Sequence, residues 1–133
     1  MLFRSIGTGD DDIGEAHVHG STDGFVAKFD KYGNQQWLKF YGAASGDNFY
    51  GVIPNPNGGL YALGFSDGQL GTIGDTSPTG TNFDATITKI LADGTQEWVH
   101  EFGTSGYDNP QNGVLGRDGR IYVAGIKIGR AHV

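Results

Sequence analysis

The chain has 133 residues, a formal charge of −6 and a pI near 4.9, with no run of lysine or arginine, so nucleic acid and anionic membrane surfaces make poor partners. It has no cysteine, which excludes a disulfide framework and thiol chemistry, and no apolar run of about 18 residues that could serve as a membrane span or a leader. Its 24 glycines are more than twice the share expected from an average usage of about 7%, and frequent turns between short strands would produce that excess.

In chain order, Met1 to Gly7 reads as the end of a repeat: Gly7 aligns with Gly42 and Gly103, and Phe3 and Ile6 take the places of Leu38 and Tyr41. Asp10, Asp11 and Asp12 follow. Three adjacent carboxylates lack the spaced oxygen ligands and the fixed glycine of a calcium loop, so they read as a solvated loop. Ala16 to Gly20 aligns with Leu60 to Gly64 and with Ile121 to Gly125, whose alternation predicts a strand. His17 and His19 then share a face, as a metal-binding pair would, but their counterparts Tyr61, Leu63, Tyr122 and Ala124 are packing residues.

The stretch from Gly24 to Gly42, GFVAKFDKYGNQQWLKFYG, is the organising unit. It returns at Ala85 to Gly103, with Lys28 answered by Lys89, Gly33 by Gly94, Trp37 by Trp98 and Gly42 by Gly103, each pair 61 residues apart. Phe25 to Asp30 alternates, Lys31 to Asn34 turns, and Gln36 to Tyr41 returns, which predicts a hairpin; Thr86 to Phe102 repeats it around Asp93 and Gly94. A second hairpin type uses Asn57-Gly58 and then Asp118-Gly119.

No window supports an amphipathic helix. The complete unit is expected to hold four antiparallel strands, near Tyr50 to Ile53, Leu60 to Leu63, Asp84 to Leu91 and Glu97 to Phe102. Its long Gly, Ser, Thr and Asp-rich link over 65–83 has 17 more residues than the corresponding link after Gly20, and without them the period is 44 residues, the length of a four-stranded propeller blade. The fold class expected is therefore all-β, a β-propeller segment of about one full blade and parts of two others. Residues 1–49 form a partial first blade with a strand missing or shortened, 50–102 a complete blade, and 103–127 the start of the next. Residues 128–133, IGRAHV, break the repeat and resemble a one-frame translation of a sequencing adapter, so they are set aside as an expected artefact. A ring needs four to eight blades, so the mid-repeat start and adapter-like finish lead to the expectation of a truncated ring.

The repeat resembles the bacterial SBBP-type β-propeller repeat. The carriers are Phe25 to Asp30, Gly33-Asn34, Trp37, Gly42, Asp47-Asn48, Gly51-Val52 and Leu60 to Gly64, and then Asp84, Lys89, Gly94, Trp98, Gly103, Asp108-Asn109, Gly113-Val114 and Ile121 to Gly125. Thr86 stands where the family pattern has an aromatic residue. This resemblance implies a secreted or cell-surface protein with no catalytic residue set to transfer.

The repeated residues have readings that need no ligand. Trp37 and Trp98 are expected to pack between sheets, with ligand stacking as the alternative. Asp47 and Asp108 are expected to bond turn amides, with calcium ligation as the alternative. Lys28 and Lys89 are expected to expose their charge. The function expected is a non-enzymatic binding or structural scaffold whose partners are a protein or glycan ligand and the remaining blades of a parent chain. A fragment of a propeller enzyme, such as a quinoprotein-like dehydrogenase or a hydrolase, is the alternative. No catalytic, cofactor or metal residue is nominated, since no Ser, His and Asp constellation, HExxH or phosphate-binding glycine loop is present.

Overall fold

A computed structural model of the chain describes residues 2–9, 22–42, 46–67, 83–104 and 106–128. Nine strands run through them: β1 Leu2–Gly9, β2 Asp23–Phe29, β3 Gln35–Tyr41, β4 Asp47–Pro54, β5 Leu60–Ser66, β6 Asp84–Ile90, β7 Gln96–Phe102, β8 Tyr107–Leu115 and β9 Ile121–Ile128. They form three antiparallel sheets in the orders β1-β2-β3, β4-β5-β6-β7 and β8-β9, and none closes on itself. The fold is all-β, and no helix among the described residues is long and apolar enough to cross a membrane.

Local chemistry fixes the hairpins. In each of the four tight turns a glycine takes a positive φ, between 79° at Gly119 and 91° at Gly58, and its amide donates to the carbonyl three residues back. Asp30 accepts from Gly33 at 3.1 Å while its own amide donates to Asn34 at 2.9 Å; Leu91, Gly94 and Thr95 repeat the pair at 2.9 and 2.8 Å. This is a three-residue loop ending in a left-handed glycine, whose twist suits the strands it joins. Side chains reinforce it. The Asn34 side chain donates to Asp30 Oδ2 and the amides of Asn34 and Tyr32 donate to Oδ1, and these bonds, the first foremost, hold its carboxyl below the usual range.

The four-stranded sheet lies between the other two. Consequently β5 is buried on both faces, with Leu60 and Ala62 toward β2 and β3, and Tyr61 and Leu63 toward β8 and β9. The first core holds Val26, Tyr41, Phe49, Leu60, Ala62 and Ile90, with Trp37 and Val52 against it; the second holds Ile53, Tyr61, Leu63 and Ile87, with Trp98, Leu115, Ile121 and Val123. Each fully buried aliphatic side chain of this kind contributes roughly 1.5–3 kcal/mol. The sheets repeat one relation: β4 lies against β1 and β2, and β8 lies against β4, β5 and β6.

Three expectations change. The strand beside β2 is β1, paired from Leu2↔Phe29 to Gly9↔Asp23 in the register that β5 makes with β6, from Leu60↔Ile90 to Ser66↔Asp84. The alignment had matched Met1 to Gly7 to the returning strand of a hairpin instead. The eight residues of β1 reach both ends of β2, with a register shift between Ser5 and Thr8 that β5 does not have against β6. The expected strand at 16–20, with His17 and His19, and the acidic run Asp10 to Asp12 lie outside the described residues. The link is also shorter than expected, because β5 continues to Ser66; and β9 reaches Ile128, which pairs with Tyr107, one residue into the stretch set aside. The remainder of that stretch, 129–133, lies outside the described residues.

A bulge explains one repeated glycine. In β4 the register shifts between Phe49 and Gly51, leaving Tyr50 as the additional residue, and the Asn48 carbonyl is driven against Gly64, where a Cβ would sit 1.7 Å from it. The same shift between Pro110 and Asn112 brings the Asn109 carbonyl within 2.4 Å of a Cβ at Gly125. Gly51, by contrast, has nothing within 4 Å of such a Cβ. Gly64→Ala is expected to lower stability by about 1–3 kcal/mol, because backbone must move to admit the methyl group, whereas Gly51→Ala changes it little; urea denaturation of both variants checks the contrast.

Candidate functional site

The four-stranded sheet is joined to the first sheet by a turn seated among side chains. The β6–β7 turn spends its own hydrogen bonds on the carbonyls of Leu91 and Thr95. Those of Ala92, Asp93 and Gly94 are met from β2 and β3. Lys28 Nζ and Trp37 Nε1 both donate to the Ala92 carbonyl, at 2.9 and 3.2 Å; Lys39 Nζ donates to Asp93 at 3.1 Å, and the Tyr41 hydroxyl donates to Gly94 at 2.7 Å. Gly94 is required by its φ of 85°, and a Cβ there would also press on the Lys39 side chain, 2.9 Å from Cδ.

Burial and charge shape this socket. Tyr41 is 7% exposed, and burial, with the Asp93 carboxylate as a lesser cause, pushes its hydroxyl pKa well up. Bonds from the Thr95 amide and hydroxyl, with the nearby Lys39 charge, hold Asp93 below the usual carboxylate range. Lys28 departs from the sequence expectation. It is 8% exposed, and its ammonium ends on a carbonyl rather than in solvent. Trp37 packs against the first core as expected, but its indole N–H bond is an additional role that alternation could not reveal.

The same positions recur on the next sheet as Lys89, Trp98 and His100, with Phe102 in place of Tyr41. Lys89 is paired with Glu97 at 2.5 Å, which raises its pKa, chiefly through that hydrogen bond. Trp98 lies 5.9 Å from the Tyr61 ring and 4.9 Å, edge to face, from His100.

A second repeated feature sits at the other end of the sheets. Asp23 and Asp47 crowd Gly42, where a Cβ would meet Asp47 Oδ2 at 2.8 Å; Asp84 and Asp108 crowd Gly103 at 2.6 and 2.8 Å. Asp108 Oδ2 accepts from the Thr104 amide at 2.7 Å and from its hydroxyl at 3.2 Å, which is the turn-bonding role expected for it, and Lys127 Nζ approaches Oδ1 at 3.8 Å. The Asp47 and Asp108 amides donate to the carbonyls of Thr22 and Phe83. Among the described residues no three His, Cys, Asp or Glu side chains gather as a metal site would need.

The third feature does not repeat. Tyr50, Phe65, Phe83 and Tyr107 form one aromatic group: Phe65 is 5.3 Å from Tyr50, 4.7 Å from Phe83 and 5.7 Å from Tyr107, and Phe83 is 5.1 Å from Tyr107. One period away the corresponding residues are Gln111, Ile126, Thr22 and Gly46. Phe65 and Phe83 flank the long link, and Tyr50, the bulge residue, is 48% exposed. Burial and its neighbour Tyr107 raise the Tyr50 pKa. Sequence reasoning missed this group, although its residues could have been found as the aromatic positions that break the repeat.

No family model matches the chain. It is similar to the regulatory protein FlaEY of Caulobacter vibrioides, with 30% identity over 112 residues. The match covers 80% of this chain and 11% of that protein's length.

Tyr41→Phe is expected to lower stability at neutral pH by about 1–2 kcal/mol, since the Gly94 carbonyl loses its hydroxyl donor. In the unfolded chain a tyrosine ionises near pH 10, while folded Tyr41 keeps its proton to higher pH. Its contribution is therefore complete below about pH 10 and declines by about 1.4 kcal/mol per unit above it, as the unfolded state alone releases the proton. Denaturation at a series of pH values should show the two curves converging above pH 10. Asp47→Ala and Asp108→Ala are each expected to destabilise equally in calcium and in chelator; thermal melts in which the loss is confined to calcium buffer would overturn the turn-bonding role.

Proposed function

We propose that the chain is a non-enzymatic segment of a β-propeller within a larger secreted or cell-surface bacterial protein, acting as a scaffold that presents a binding surface. The 44-residue unit, the four-stranded sheet and the twice-repeated stacking relation support the propeller reading. So does the outward face of β8 and β9, where Val114, Tyr122 and Ile126 stand exposed at the positions of Ile53, Tyr61 and Phe65, whose face β8 and β9 cover. A match to 11% of a longer protein is what a repeat segment of a long chain would give. The secreted or surface location rests on the resemblance to SBBP-type repeats.

The observation that carries the binding role is the aromatic group. Repeat proteins keep the residues that stack their units and vary those that meet a partner. Four aromatic rings at the one junction with a long link, none of them repeated, mark that junction as the variable surface. Glycan and peptide arrays probed with the chain test this. Ligands are expected to be lost with Tyr50→Ala and kept with Tyr32→Ala, which alters a residue 79% exposed on the β2–β3 turn. Binding indifferent to Tyr50→Ala, or no ligand on either array, would refute the binding role.

A further inference from the structure

The socket that holds the β6–β7 turn recurs on the four-stranded sheet itself, and in the two-stranded sheet that packs against it β9 pairs on one side only among the described residues. We propose that the outer edge of β9, together with Lys89, Trp98 and His100, accepts a β-hairpin of the same repeat supplied by a following repeat unit. The occupant is defined by continuity with the filled interface. In the four-stranded sheet the strand beyond β5 is β6, and the β6–β7 turn offers the carbonyls of Ala92, Asp93 and Gly94 to Lys28, Trp37, Lys39 and Tyr41. Shifted by one period, the strand beyond β5 becomes the strand beyond β9, and the donors become Lys89, Trp98 and His100.

The shift fixes a register. A strand equivalent to β6 would run antiparallel to β9 with its last residue opposite Ile121, as Ile90 is opposite Leu60. Its turn would then bring its first outward carbonyl to Lys89 and Trp98 and its second to His100. The third would lack a hydroxyl donor, because Phe102 replaces Tyr41. The ion pair with Glu97 uses only part of the donor capacity of Lys89, whose ammonium carries three N–H groups. Edge addition of this kind supplies main-chain hydrogen bonds for affinity and side-chain contacts for selectivity.

The same geometry excludes an intact second copy as the occupant. The chain's own β2–β3 hairpin has the right turn, but β1 already occupies the β2 edge that would have to meet β9. The inference needs only the local repeat and does not depend on closure of a ring or on the aromatic group.

The test is a fluorescently labelled peptide of residues 84–103, titrated with the full chain and followed by anisotropy, with light scattering of the chain alone. Saturable binding is expected, with the chain monomeric. The peptide carrying Gly94→Val, which cannot form the turn, and a scrambled peptide are expected not to bind. Trp98→Phe keeps the packed ring and drops the N–H, so it should weaken binding about three- to tenfold; Lys89→Met should weaken it as well, and serves if the tryptophan variant fails to fold. The proposal is overturned if the native peptide does not bind, if the altered peptides bind equally well, if both variants of the chain bind unchanged, or if the chain alone forms a dimer that Trp98→Phe abolishes, which would make a second copy the occupant.

Discussion

A hairpin turn leaves carbonyl groups that its own sheet does not satisfy; of those at Ala92, Asp93 and Gly94 the last belongs to a buried residue, and leaving it without a donor would cost about 1–3 kcal/mol. At the β6–β7 turn the donors come from the sheet before it, through two lysines, a tryptophan and a tyrosine. The two sheets are thus held by directional bonds at one end, while the core around Leu60 and Val26 supplies non-directional burial across their faces. Burial alone would allow the faces to slide. The bonds to Ala92, Asp93 and Gly94 set one position, and β4 and β8 can then lie across the preceding sheets in the same way.

Alternation and glycine spacing made much of this readable. The strands of the four-stranded sheet lie where period-two patterning put them, β4, β5 and β7 extending somewhat beyond the predicted limits and β6 stopping one residue short, and all four tight turns fall at the predicted Gly33, Gly58, Gly94 and Gly119. Both signals are local, since a strand shows its faces within a few residues and a left-handed turn position admits glycine almost alone. What could not be read was pairing at a distance. Lys28 sits on an alternating strand where a solvent-facing lysine is the ordinary outcome, yet its partner is 64 residues away. The placing of β1 beside β2 was missed for a similar reason, because the alignment compares residue types and takes no account of how much of an edge a strand can cover.

The repeated and unrepeated residues divide the labour. Lys28 and Lys89, Trp37 and Trp98, and the carboxylates about Gly42 and Gly103 recur at equivalent places on successive sheets. Tyr50, Phe65, Phe83 and Tyr107 recur nowhere, and they come together because a bulge places Tyr50 outside the ladder, Phe65 is next to last in β5 and Phe83 immediately precedes β6. The bulge itself is repeated, as Tyr50 and Gln111, so the backbone is shared and only the side chain placed on it differs.

The socket also has a direction in time. Its donors, from Lys28 to Tyr41, all precede Ala92, Asp93 and Gly94, so a ribosome finishes the donor face about 50 residues before it makes the turn that caps it. At about 5–20 residues per second that interval lasts roughly three to ten seconds. The β2–β3 hairpin, whose contacts are local, forms in microseconds. During synthesis the first sheet therefore waits with its tryptophan and lysines uncovered until the β6–β7 turn arrives to cap them.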